Sequence, residues 1–267
     1  MTVFDPELSA RMKMPKEMLD RASELHLAIH VGGSELHAAL FDFHASQCLW
    51  HVYSEIPAGI SVSKFIYQRN WMDAIFRKCT ITFDSDNYAL IPQSLFDPSA
   101  CSDYLEMQHG KPAISIGYTE LPEAEAVLCF EWPEWYSEVM RLIPNARILP
   151  QPVLLVRLVQ SYTQSGDAGF LVAVSSGNAT IVGFKNRALA LLVTQPARTS
   201  EDILYHLSNA ALRLQIDPEN CRVYLLEAIT DNENQSLLGR YIKMVSSISS
   251  PAGIEAPAVT QLHYLCA

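Results

Sequence analysis

Three histidines, His26, His30 and His37, sit in one short stretch whose alternation can bring them to a single sheet face. Imidazoles gathered in this way invite a metal. No carboxylate or thiolate stands at the paired spacing such a site needs, so polar strand positions lining a cleft are the expectation. Two acidic pairs, Asp84 with Asp86 and Asp231 with Glu233, flank the turn formers Asn87 and Asn232. These read as solvated loops, because acid–base catalysis usually draws its carboxylates from separated segments. A G-x-S-x-G elbow is absent, which removes sequence support for a serine nucleophile. Six cysteines (Cys48, Cys79, Cys101, Cys129, Cys221, Cys266) lie far apart without a CxxC pair. They read as buried thiols rather than zinc ligands, which come in close pairs. The aromatic run WPEWY from Trp132 reads as helix packing rather than a ligand platform. No catalytic residue, metal or cofactor is therefore assigned.

The elements that must position these side chains repeat. Residues 25–53 read LHLAIHV, a GGS turn, ELHAALFDF, an HASQ turn and CLWHVY. Residues 169–195 read GFLVAVS, an SGN turn, ATIVGF, a KNR turn and ALALLVTQ. Each is a meander of three strands followed by a helical stretch and a fourth strand, which is an internal duplication. Gly32 and Gly33 in one turn and Gly177 in the other suit the positive φ of tight hairpins.

Between and beyond the copies, the pattern predicts a helix over 63–76 carrying Phe65, Ile66, Met72, Ile75 and Phe76, then strands at 79–83, 88–92 and 126–132. Pro133 opens a helix bearing Trp135, Val139 and Leu142. Pro144, Pro150 and Pro152 mark residues 144–169 as a lobe connection. Thr199 and Asp202 form an N-terminal cap for a helix with Ile203, Leu207, Ala211 and Leu214 on one face, and Pro218 prevents its continuation. A strand at 222–226, a helix at 235–245, a loop at 246–257 and a strand-like tail at 260–266 complete the chain. Strands alternating with helices make it α/β with mixed sheets, in two lobes over residues 1–150 and 151–267.

At 267 residues the chain can bury a full core without disulfides or metal. Its formal charge of −10 opposes an extended phosphate-binding surface, so nucleic acid is excluded as a partner. The longest apolar runs, such as 153–159 with Arg157 inside, are far short of the roughly 20 residues that cross a bilayer. Asp5, Glu7 and Arg11 stand where a signal peptide would be apolar, which predicts a cytoplasmic protein without membrane insertion.

Seven runs carry a resemblance: FDPEL, NYALIPQSLFDP, VLCFEWPEW, RLIPNARILP, EDILYHLSNAALRLQIDPE, YLLEAI and the terminal HYLC. In their order and spacing the chain resembles a bacterial family of unknown function with a degenerate actin-like ATPase fold. That fold is a duplicated ribonuclease-H-like one, and the family is similar at a distance to the pilus-assembly protein PilM and the secretion protein GspL. The resemblance implies a cleft between the lobes. Active members place D-x-G at each hairpin turn, where turn amides cradle phosphates and the aspartates hold hydrated magnesium. Here His30 and Ser175 stand at the acidic positions, and Glu227 stands where a small residue would face the adenosine. The expected remnant of the phosphate site is thus Gly32, Gly33, Ser34, Ser175, Ser176 and Gly177. Losing two carboxylates should cost at least about a hundredfold in nucleotide affinity at roughly 1.4 kcal/mol each. The resemblance implies a non-catalytic adaptor with a protein partner or a further copy of itself, the alternative being an ATP-binding or slowly hydrolysing switch.

Overall fold

The computed structural model describes residues 13–42, 44–45, 47–162, 168–175, 177–217, 220–227 and 232–248. Alternating apolar residues build the first meander, β1 (Leu25–Gly32), β2 (Glu35–Asp42) and β3 (Gln47–Glu55). A short helix α1 (Lys16–Asp20) precedes it, and α2 (Val62–Tyr67) follows, leading to β4 (Lys78–Phe83). The second meander is β9 (Ala168–Ser175), β10 (Asn178–Lys185) and β11 (Ala188–Pro196). It is followed by helix α6 (Ser200–Leu214) and β12 (Arg222–Glu227).

Each meander is the core of a five-stranded mixed sheet, because β4 lies parallel to β1 and β12 lies parallel to β9. The fifth strands are β8 (Ala146–Pro150) and β13 (Met244–Ser247), each parallel to its neighbour. The orders β3-β2-β1-β4-β8 and β11-β10-β9-β12-β13 are therefore the same. Even the irregularities coincide. The middle strand of each meander shifts register after its sixth residue, between Leu40 and Phe41 in one and between Gly183 and Phe184 in the other. Such bulges bend a strand, so the two sheets curl alike.

Between β4 and β8 the chain inserts a third, antiparallel sheet of order β5-β7-β6, from β5 (Tyr88–Pro92), β6 (Ile116–Leu121) and β7 (Ala126–Glu131). Helix α3 (Cys101–His109) packs on it and ends at Gly110, whose φ of 71° provides the left-handed cap. There Cys101 and Cys129 come together with sulfurs 3.1 Å apart as free buried thiols. The segment after β7 forms α4 (Tyr136–Leu142), which buries Val139 as its spacing predicts.

Part of the stretch expected to connect the lobes forms regular structure. After β8 it forms α5 (Gln151–Tyr162), whose Val153, Leu154, Leu155, Val156, Leu158 and Val159 are buried. They share one core with the first sheet and with Leu171, Ala173, Val182 and Phe184 of the second. The other face of the second sheet packs on α6, whose Thr199–Asp202 capping box and buried Ile203, Leu207 and Ala211 follow the sequence reading. Two helices end sooner than their periodicity predicts. Asn70 leaves the α2 path to bond both backbone groups of Met14, and Trp71 is buried while Ile75 is left exposed. Helix α7 (Asn232–Leu238) stops before Gly239, a poor helix former, and residues 244–247 join the sheet instead. The expected tail strand at 260–266 lies outside the described residues.

Candidate functional site: the cleft between the hairpin turns

The two glycine turns lie at the carboxyl ends of β1 and β9, the side of an α/β sheet where ligands bind. Gly33 and Gly177 adopt φ of 55° and 75°, as the hairpins require. Each turn is tied to the end of its third strand region: Ile56 N donates to Ser34 O, and Ala197 N donates to Gly177 O. Ser176 lies outside the described residues. A cavity of about 230 Å³ opens between the turns, lined by Gly33, Asp84, Gln151, Ser175, Asn178 and Thr180 among others.

The centre of this site is a residue the sequence reading placed in a solvated loop. Asp84 directly follows β4, and its N–H continues the parallel ladder by donating to Val31 O. Ser175 Oγ, from the second sheet, donates to Asp84 Oδ2 at 2.8 Å. His30 Nε2 lies 3.2 Å from Asp84 Oδ1, without good hydrogen-bond alignment, and its Nδ1 is 3.0 Å from Thr82 Oγ1. A Cβ on Gly32 would stand 2.7 Å from Asp84 Oδ2 and 3.1 Å from Ser175 Oγ. Glycine there allows the two turns to close on the carboxylate.

The order of contacts is serine, carboxylate, imidazole. Ser175 donates its hydroxyl hydrogen bond to Asp84, so the contact does not set His30 as a base for Ser175, as hydrolytic nucleophiles require. Gln151, the first residue of α5, is only 3% exposed, and its Nε2 has no hydrogen-bond partner among the described residues. A hydroxyl chain crosses the cleft from Tyr88 Oη to Thr194 Oγ1 and on to Thr180 Oγ1, at 3.0 and 2.9 Å. Burial raises the Tyr88 phenol above its ordinary pKa.

The three histidines do share a face, as β1 and β2 pair His30 with His37. His26 contacts Thr80 Oγ1 at 3.0 Å, and burial together with Lys78 lowers its pKa to about 3. Among the described residues no group of three or more His, Cys, Asp and Glu could hold a metal ion. Glu227 ends β12 in register with Val174. The sequence marks Asp84 only as one of an acidic pair beside Asn87, and Gln151 carries no mark in it; the structure places each one residue beyond a buried strand.

Paired mixed sheets of one order, with a cleft between their first hairpins, define the actin-like ATPase fold. The chain belongs to the family described as protein of unknown function (DUF3822), whose model matches residues 16–245. A Bacteroides thetaiotaomicron protein with actin-like ATPase fold and unknown function superposes with a TM-score of 0.80 at 17% identity, over 95% of this chain and 100% of that one. A chain of the PilM–PilN type IV pilus biogenesis complex gives 0.57 at 12% identity, over 91% and 98%. The cytoplasmic domain of EpsL, an inner membrane component of the Vibrio cholerae type II secretion system, gives 0.50 at 9%, over 90% and 94%. At such identities the likeness shows the fold. No curated protein matches the chain significantly by sequence. Among the described residues no helix is long and apolar enough to cross a membrane.

Proposed function

We propose that this chain is a non-catalytic actin-like module of the cytoplasm that works as a protein-interaction or assembly adaptor. Its lobes span residues 1–150 and 151–267, and Gly32, Gly33, Ser34, Ser175, Ser176 and Gly177 are the remnant of a phosphate site. The observation that carries this reading is the Asp84 carboxylate held by Ser175 between the turns. A phosphate entering at about 4 Å from it would meet a repulsion of roughly 4 kcal/mol at an effective dielectric near 20. The sequence change at His30 and Ser175 removes the magnesium-holding acids, and Asp84 adds a charge of the wrong sign for phosphate.

What the fold still offers is surface. Strands β3 and β11 end their sheets among the described residues, and open edges capture extended segments or a second copy of the chain. The net charge of −10 favours a basic partner. PilM and EpsL, by their names, belong to assemblies, which supports the reading by analogy. The alternative, an ATP-binding or slowly hydrolysing switch, draws on the carboxylates of Asp84 and Asp86 beside the turns, which could hold magnesium if Asp84 left Ser175. The adaptor reading is tested by pull-down from native lysate with the folded, tagged chain, followed by a salt series. A specific protein retained at low salt and released as salt rises is expected; retention of none overturns the reading.

A further inference from the structure

A second cavity, of about 400 Å³, adjoins the cleft and shares Asp84 and Asp86 with it. It lies where the end of β4 meets the inserted sheet. Among the described residues, every formally charged one that lines it is a carboxylate: Asp84, Asp86, Glu131 and Glu134. Its apolar wall is Phe83, Trp132 and Tyr136. Trp132 stacks on Tyr136 with centroids 3.9 Å apart and planes at 17°. Gly117 makes room for the indole, since a Cβ there would lie 2.6 Å from it. The wall is therefore fixed before any ligand arrives.

The second observation is Asn87. It is 8% exposed, lines the cavity, and donates its Nδ2 to Glu131 Oε2. That partner fixes the amide orientation, because a carboxylate accepts and cannot donate. Asn87 Oδ1 is then a buried carbonyl oxygen without a donor among the described residues. Glu131 is held in place as well, its Oε1 accepting from Ile114 N at 2.9 Å. Fixed acceptors, four carboxylates and aromatic walls call for a flat cation with several N–H groups. A guanidinium has that shape, five donors and weakly hydrated faces that pack on rings, whereas an ammonium is a strongly hydrated point charge.

We propose that this cavity takes an arginine side chain carried on an extended segment of a partner protein. The inference rests on the adaptor reading and names the chemistry of its partner. Free arginine is disfavoured, because its own carboxylate would face four others. The exposed side chain of Ile114 at the rim gives the backbone of such a segment an apolar contact.

The test uses the ¹⁵N-labelled full chain and the indole N–H resonance of Trp132, assigned with Trp132→Phe. The probes are N-acetylated, C-amidated tripeptides with glycines around a central arginine, lysine or citrulline. A saturable shift is expected with arginine, about tenfold weaker with neutral citrulline for the loss of one charge-assisted contact. Glu134→Lys, at an exposed position, is expected to weaken the arginine peptide about tenfold without affecting the fold, and Asn87→Ala to weaken it as well. Equal response to arginine and citrulline, equal response to lysine, or no response overturns the proposal. A silent peptide titration leaves the adaptor reading standing, whereas magnesium-dependent ATP binding overturns that reading whatever the peptides do.

Discussion

Lowering the pH from 7 to 5 should destabilise this protein through two buried histidines. Burial, with Lys78 nearby, brings His26 down to about 3. Burial, then repulsion from His30, brings His37 down to about 4, against the pull of Glu35. In the unfolded chain both titrate near about 6.5. Below that value the unfolded chain takes up protons that the folded chain refuses, so stability is full above about pH 6.5 and falls with acid until the folded pKa values are reached. Integrating from pH 7 to 5 gives a loss of roughly 2 kcal/mol per histidine, about 4 together. Between pH 6 and 5 the slope should be about 1.2 kcal/mol per pH unit for each. Urea unfolding at half-unit pH intervals measures it. His26→Gln, which keeps an N–H for Thr80 but does not titrate, should remove about half the slope. A stability that is flat from pH 7 to 5, or a slope unchanged in His26→Gln, would refute the reasoning.

Ser175→Ala removes the donor to Asp84 that joins the two sheets. It should lower urea stability by about 1 kcal/mol, since the carboxylate is partly exposed and screened. Gly32→Ala should break the same contact by pushing Asp84 aside. In a double-mutant cycle the two should therefore cost less together than the sum of the singles. Thr199→Ala opens the capping box of α6 and should cost about 1 kcal/mol in the same assay.

The duplication was legible because hairpins are local. Alternation and a glycine turn specify three strands within one short stretch, and both meanders formed as read. The fifth strands are not, because β8 is bracketed by prolines and β13 begins inside the stretch whose pattern reads as a helix over 235–245, and each is made a strand by a distant parallel neighbour. Strand β6 and helix α3 escaped notice for a similar reason. Neither stands out by its own pattern, and each is stabilised by packing on the inserted sheet. In the site, Gly32, Gly33, Ser175 and Gly177 lie at the turns where the sequence put them. Asp84 and Gln151 come from strand ends far apart in sequence, and only the fold brings them into the cleft. The meeting of Cys101 with Cys129 is likewise tertiary, and no CxxC spacing announced it.

The Asp84 carboxylate, held by Ser175 in the cleft between the turns, opposes the phosphates of a nucleotide there. Calorimetric titration of the full chain with ATP, with and without magnesium, tests this most directly. The account expects no saturable heat below about millimolar nucleotide, an affinity of roughly 4 kcal/mol or less, and no dependence on magnesium. Sub-millimolar binding that requires magnesium would contradict it and make the switch the better reading.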